Sequence, residues 1–456
     1  MNAKNSENIF REYDIRGVVG DGIDEERIFA IGAAYGEKAK ALGAKTVSVG
    51  RDCRLSSEEF AAALTSGITG RGVNVTDIGL VSTPMLYFSV FNLTPHGGVI
   101  VTASHNPPEY NGLKLCMGKQ AMFGNEIKSL ARPPEGKSKL VRGKITKTDI
   151  AENYADFLCG GVKVESGIGF AYDCGNGAGG IAAPMVFEKL GLKADGLFTE
   201  PDGNFPNHHP DPSIEENLAD LIKKVRSEKT LLGMAFDGDA DRIGVVDENG
   251  TVVRGDMLAL IFALDTARSK AGAKIIGDVK CSKLLFELSE KAGAKTIMWK
   301  TGHSVMKRKL AEEKADFGGE MSGHLFFGGE RFGGYDDALY AGLRLLEIVS
   351  KTGSEVSELL ADVPELFSTP EIRLDCPDDI KFTVVENAKS AIVEKFPEAK
   401  IIDIDGARVE FEDGWGLVRA SNTQPALVLR FEAKSEKRLG EIREGLETII
   451  AGAVKI

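Results

Sequence analysis

Three times in this chain a helical stretch closes on a glycine and runs straight into a short apolar strand. Leu42-Gly43-Ala44-Lys45 leads into Thr46–Val49, Ala271-Gly272-Ala273-Lys274 into Ile275-Ile276, and Ala292-Gly293-Ala294-Lys295 into Thr296–Trp299. Glycine just past the last helical residue is the usual left-handed stop. Helices alternating with strands predict α/β layers on largely parallel sheets. At about 150 residues per domain, the 456 residues predict about three domains, but punctuation divides the chain into four. Residues 132–149 are rich in Pro and Lys and precede a helical stretch over 150–159. Glu248-Asn249-Gly250 reads as a hairpin turn before a helix near Asp256. Val363-Pro364 reads as the end of a helix, after which strands such as Ala426–Phe431 and a final helix form an α+β module. The expected domains are 1–150, 151–252, 253–366 and 367–456.

A hydrophobic share of 43% and a charged share of 27% are those of a globular protein, neither disordered nor fibrous. The net charge of −12 argues against a nucleic-acid partner, which calls for a basic footprint. An anionic small substrate stays open, because a few clustered cations dominate the field inside a cleft. The six cysteines are scattered without a C-x-x-C pair, against structural zinc and against a disulfide framework. Met1 to Phe10 is polar, and no apolar run reaches membrane-spanning length. A soluble cytoplasmic protein with no membrane partner is expected. The 53 glycines exceed the usual ~7% and predict loops where backbone approaches a ligand closely.

Four segments carry candidate chemistry. Thr102-Ala103-Ser104-His105-Asn106-Pro107 follows the apolar run Gly98–Val101, so Ser104 falls at a sheet's carboxyl edge, where open α/β folds bind ligands. Alone, it also reads as a plain turn. Asp237-Gly238-Asp239-Ala240-Asp241-Arg242 lies between the apolar segments Leu231–Phe236 and Ile243–Val246. Three carboxylates at alternate positions suit one hard cation. An EF-hand loop nearly fits, but Arg242 takes the place of its obligatory glycine and the flanks read as strands. Gly318-Gly319-Glu320-Met321-Ser322-Gly323-His324 sets a carboxylate and a hydroxyl two residues apart, suited to paired sugar hydroxyls or, alone, a glycine-rich turn. Arg419-Ala420-Ser421-Asn422-Thr423-Gln424-Pro425 offers a guanidinium fork beside hydroxyl and amide donors, a phosphate clamp or a polar loop.

Gly175-Asn176-Gly177-Ala178-Gly179-Gly180 follows the strand-like Ile168–Tyr172 and satisfies the dinucleotide fingerprint, with Asp195 downstream. Asp195 precedes Gly196 instead of ending an evident strand, so a closely packed glycine-rich helix entry is the simpler account. His208-His209 sits in a Pro-rich loop and reads as exposed. His303, after the strand Thr296–Lys300, offers an acid/base group near neutrality.

In this order the segments, together with Phe10-Arg11-Glu12-Tyr13-Asp14-Ile15-Arg16-Gly17, resemble the α-D-phosphohexomutase superfamily over essentially the whole chain. The closest likeness is to its phosphomannomutase/phosphoglucomutase branch. The resemblance implies an α/β fold of four domains around a central cleft, three similar mixed α/β domains plus the C-terminal α+β domain. It implies reversible conversion of hexose 1-phosphate and 6-phosphate, of mannose or glucose, with phosphorylated Ser104 as donor and a hexose 1,6-bisphosphate that turns end for end. Mg²⁺ would be held by phosphorylated Ser104, Asp237, Asp239 and Asp241, with Arg242 alongside. Glu320 and Ser322 would meet the sugar hydroxyls, with His324 in the same loop, and Arg419, Ser421, Asn422 and Thr423 the non-reacting phosphate. Lys114, His303, Arg16 and His105 match positions near the reacting oxygen, Lys114 or His303 taking the hydroxyl proton; Tyr13 and Lys280 match substrate positions. Hexose phosphates are the expected partners, glucose or mannose 1,6-bisphosphate the expected activator, and the chain is expected to work as a monomer. Many relatives, phosphoglucosamine mutases among them, read Ser-Gly-Thr-Glu-Pro in the clamp, so Asn422 argues against an amino sugar. Competing readings are a phosphoglucosamine mutase, then an NAD-dependent dehydrogenase, resting on Gly175–Gly180, a Mg²⁺-dependent sugar phosphatase and a non-catalytic sugar-phosphate sensor.

Overall fold

The computed structural model describes residues 9–93, 96–132, 141–329 and 332–454. Residues 1–8 of the polar N-terminus and 133–140 of the Pro- and Lys-rich boundary lie outside them.

Three sheets repeat one strand pattern. In the first, Asn74–Leu80, Thr46–Arg51 and Gly97–Val101 run parallel in that spatial order, and Tyr110–Met117 returns antiparallel. The second repeats it with Lys193–Leu197, Gly169–Asp173, Leu232–Phe236 and antiparallel Ile243–Asp247. The third uses Lys295–Trp299, Lys274–Asp278, Phe317–Gly319 and antiparallel Leu325–Phe327. The glycine joints feed these strands: Gly43, Gly272 and Gly293 all have positive φ, which an L-residue adopts only with strain. In every repeat the last parallel strand connects to the antiparallel one by a short loop. Those three loops are the serine, aspartate and Glu320–His324 segments.

The fourth sheet is antiparallel throughout, ordered Phe367–Ser368, Ala426–Ala433, Gly414–Ala420, Ala407–Phe411, Lys400–Ile402. Val384 and Ile392 of helix Lys381–Lys395 and Leu446 of helix Glu436–Ala453 share a core with its Val409, Val418 and Leu429. Its seat on the third module is polar and buried. Arg408 lies 3.7 Å from the centre of the Trp415 ring and donates to the carbonyls of Val279 and Cys281, each at 2.7 Å. Glu432 accepts both Trp415 Nε1 at 2.8 Å and Ser282 Oγ at 3.0 Å.

Two local expectations change. Val363-Pro364 does not end a long helix: helix Ala338–Thr352 stops at Gly353, where φ is +67°, and only a 3₁₀ turn, Glu358–Leu360, precedes Pro364. Asp195, read as lying outside a strand, is the central residue of Lys193–Leu197 and pairs with Lys224 at 2.7 Å. Ladder bonds to Gly169–Asp173 hold that edge strand despite its poor local signal.

Candidate active site

The serine loop turns through Ser104 itself, at φ +52°. This left-handed conformation is costly for a non-glycine residue, and Arg54 holds it. Arg54 donates to the carbonyls of Ser104 at 2.8 Å, Asn106 at 2.5 Å, Pro107 at 2.6 Å and Tyr110 at 3.0 Å, while Asp52 pairs with its guanidinium at 3.2 Å. The Ser104 hydroxyl is buried and donates to Asp237 Oδ2 at 2.7 Å, with His105 Nδ1 at 3.1 Å. Glycine at 238 lets the two loops touch, because a Cβ there would stand 2.4 Å from the Ser104 carbonyl oxygen.

Asp237, Asp239 and Asp241 are fully buried, and one carboxylate oxygen of each lies within 4.8 Å of the others. Lys114 bridges Asp239 and Asp241, at 2.6 Å from Asp239 Oδ2. Thr83 donates to that same oxygen at 2.5 Å. The opposite oxygens, Asp239 Oδ1 and Asp241 Oδ1, are buried with no hydrogen-bond partner among the described residues. Burial, then Asp239 and Asp241, push the Asp237 carboxyl well above the usual range. At Asp241 the upward push of burial is outweighed by Lys114 and His324. Crowded carboxylates with unsatisfied oxygens suit a hard divalent cation.

Around this centre stand the expected nitrogens. His324 Nδ1 lies 2.9 Å from Asp336 Oδ2, and its Nε2 accepts from Arg242 Nε at 3.0 Å. His303 stacks on His324 with ring centroids 5.4 Å apart and accepts from Lys307 Nζ at 2.9 Å. Burial, then Lys307 and Lys114, hold His303 well below the ordinary histidine value, so it is a neutral imidazole and not the near-neutral titrator expected. His105 is likewise lowered, by burial and then Arg242 and Arg16. Lys114, one of two expected proton acceptors, is held charged: burial lowers it, but Asp239 and Asp241 outweigh burial. Arg16 reaches Asn106 and pairs with Asp14 at 2.5 Å.

A chain of contacts then leads to the Arg419–Thr423 segment. Tyr13 packs edge-on to His303, donates to the Thr301 carbonyl at 2.5 Å and receives Asn422 Nδ2 at 2.5 Å. Only glycine fits at 302, since a Cβ would enter the Tyr13 ring. Glu320 accepts the Gly302 N–H at 2.6 Å and the Ser322 hydroxyl at 3.2 Å. Lys280 pairs with Glu371 at 3.0 Å. Ser421 Oγ accepts the N–H groups of Thr423 and Gln424, at 3.4 and 3.1 Å, leaving its own hydrogen free to donate. Thr423 is exposed. Gln424 accepts from Arg373 at 3.0 Å.

The structure thus joins Ser104, the carboxylates, the nitrogens and the Arg419–Thr423 segment through continuous contacts. Arg54, Thr83, Asp336 and Glu371 escaped the sequence reading, because each acts through a partner distant in the chain; Lys307, four residues from His303 on one helix, was within reach of helical spacing. The dinucleotide-like segment is structural. Glycine at 177 allows contact with Gly238, glycine at 180 contact with the Thr199 carbonyl, and the turn enters a 3₁₀ helix, Ala178–Ile181. His208, expected to be exposed, is half-buried and bonded to Asp173 at 3.0 Å, which explains its position better than the loop's composition. Among the described residues no helix is long and apolar enough to cross a membrane.

Comparison with known proteins agrees with this architecture. Four phosphoglucomutase/phosphomannomutase domains match in order: alpha/beta/alpha domain I at residues 7–131, domain II at 152–250, domain III at 254–367 and the C-terminal domain at 371–449. A phosphomannomutase/phosphoglucomutase of Pseudomonas putida is 45% identical over 97% of this chain and 95% of its own. A phosphoglucomutase of Neisseria gonorrhoeae is 43% identical over 97% and 96%. The crystal structure of a phosphoglucomutase/phosphomannomutase family protein from Burkholderia thailandensis superposes with a TM-score of 0.90 at 40% identity, covering 98% of both chains. The chain belongs to the phosphoglucomutase/phosphomannomutase family.

Proposed function

We infer that this enzyme interconverts hexose 1-phosphates and 6-phosphates of mannose and glucose, with Ser104 as the phosphoryl carrier. The observation that carries the reading is the Ser104 hydroxyl, buried in a strained turn 2.7 Å from Asp237 and facing three converging carboxylates. Asp237, Asp239, Asp241 and a phosphoryl oxygen on Ser104 would hold Mg²⁺. When bound, that ion neutralises charge on the phosphoryl oxygens.

Phosphorylated Ser104 gives its phosphoryl group to the free hydroxyl of a hexose phosphate: the Oγ–P bond breaks and a sugar O–P bond forms. The hydroxyl proton passes to His303, whose imidazole is held neutral, while Lys114 is held charged. Arg16, His105 and Lys114 keep positive charge or donors beside the transferring group. Arg419, Ser421, Asn422 and Thr423 grip the distal phosphate; Glu320 and Ser322, with Lys280 and Tyr13 nearby, orient the ring. The 1,6-bisphosphate then turns end for end, and the other phosphate returns to Ser104. One chain carries every one of these groups, so a monomer suffices, and six free thiols suit a reducing cytoplasm.

Product analysis with glucose 1-phosphate and mannose 1-phosphate, each with trace 1,6-bisphosphate, tests this. The 6-phosphates should form, and peptide mapping should find the phosphoester at Ser104. Free phosphate as the main product would instead mark a phosphatase.

A further inference from the structure

Behind Arg419 stands a carboxylate that none of the sequence motifs includes. Asp405 lies in the turn between the strands Lys400–Ile402 and Ala407–Phe411. Its Oδ2 accepts Arg419 Nε at 3.0 Å and has Arg419 Nη2 at 3.0 Å. The same oxygen accepts the backbone N–H of Thr301, from the third module, at 3.1 Å. Thr301 opens the Thr301-Gly302-His303 loop, whose first carbonyl holds Tyr13. The turn is shaped for this contact. Gly406 has φ +88°, and a Cβ there would meet the Val418 carbonyl oxygen at 2.3 Å and Arg419 Cα at 2.7 Å. Glycine therefore lets the turn lie against the strand that carries Arg419. A further observation points to a ligand: Arg419 Nη2 is buried and, although 3.0 Å from Asp405 Oδ2, makes no hydrogen bond among the described residues, so its N–H donors face away from that carboxylate.

We propose that Asp405 is the positioning residue of the phosphate clamp, fixing the plane of the Arg419 guanidinium and tying it to the loop that leads to His303. The proposal rests on the reading of Arg419 as that clamp. A guanidinium recognises phosphate by two parallel N–H donors in one plane, so rotation of the fork sets affinity. A carboxylate bonded at Nε fixes that rotation and leaves the Nη1 and Nη2 end of the fork for the anion. Because the carboxylate also holds Thr301, the clamp and the His303 loop keep one mutual placement while either phosphate of the intermediate is bound.

The test is a double-mutant cycle on the full chain, in a Ser104→Ala background where no transfer occurs, read by calorimetric binding of mannose 6-phosphate. Asp405→Asn should weaken binding about tenfold. Arg419→Ala should weaken it at least as much, and the double variant no more than Arg419→Ala alone, because Asp405 acts through the arginine. With Ser104 restored, Asp405→Asn should raise KM more than it lowers kcat. Asp405→Ser supports the same comparison where the amide variant does not fold. Undiminished affinity in Asp405→Asn, or losses that add to those of Arg419→Ala, overturns the role of Asp405 and leaves the clamp standing. Undiminished affinity in Arg419→Ala overturns the clamp and the inference about Asp405 together.

Discussion

The serine loop and the aspartate loop fill the same connection in two sheets of the same strand order, and both turn through a left-handed non-glycine residue, Ser104 at φ +52° and Ala240 at φ +58°. Both carry an internal brace, Thr102 Oγ1 accepting the Ser104 N–H at 2.9 Å in the first, but only the serine loop is also gripped by a buried arginine. Arg54 ties the serine loop from outside by gripping four of its carbonyls. The aspartate loop braces itself, with Asp237 Oδ1 accepting the N–H groups of Asp241 at 3.0 Å and Arg242 at 3.2 Å. On the proposed function, the difference follows from the work each turn does. A carboxylate has oxygens enough to hold its own loop and still face a cation. A serine that must give up and regain a phosphoryl group cannot also be its loop's brace.

Replacing Ser104 by glycine gives the largest effect. The left-handed turn accepts glycine, so circular dichroism should be unchanged, yet turnover should fall at least ~10³-fold with loss of the carrier. Retained turnover would show that the strained residue serves only the turn, as in the aspartate loop. Next comes Arg54→Ala, which takes the guanidinium donors from four carbonyls and the ion-pair partner from buried Asp52. Urea unfolding should show a loss of about 3 kcal/mol, and a loss near zero would mean the serine loop's internal brace suffices. Asp239→Asn tests the other loop: the fold should hold, since Asp237 makes the internal bonds, but the Mg²⁺ concentration for half-maximal rate should rise at least ~10-fold.

A smaller effect concerns pH. The His303 imidazole is held below its ordinary value in the folded protein, while the unfolded chain takes a proton near pH 6.5. Its contribution to stability is therefore complete above about pH 6.5 and is lost as pH falls. His303→Asn should flatten the acid limb of the melting-temperature profile, and an unchanged limb would assign it to other groups. The smallest effect is Ala240→Gly. Relief of ~1 kcal/mol of backbone strain is offset by a buried methyl worth ~0.8 kcal/mol, so stability should move by less than about 0.5 kcal/mol with turnover intact.

Much of this was legible locally. Glycine joints announced the βα repeats because a helix stop and a strand start are written within a few residues of each other. The three chemical loops showed because their side chains converge from adjacent positions. What stayed hidden lies in long-range pairs. Nothing around Thr83 announces Asp239, and nothing around Arg54 announces the carbonyls of 104–110. The strand at Asp195 exists through its ladder with Gly169–Asp173, which no local pattern carries. His303 misled for a related reason: its residue type announces a titrating group, whereas burial beside Lys307 decides its charge.

The Arg408–Trp415 stack has a practical consequence. The chain contains two tryptophans, and the ring of Trp415 is covered by a guanidinium at the seam between the third sheet and the C-terminal one. Indole fluorescence responds to wetting and to its neighbours, so any tilt that draws Val279 and Ser282 of the third module away from Trp415 and its partner Glu432 changes the emission. With Trp299 replaced by phenylalanine, the protein becomes its own optical probe of how firmly its last quarter sits during turnover.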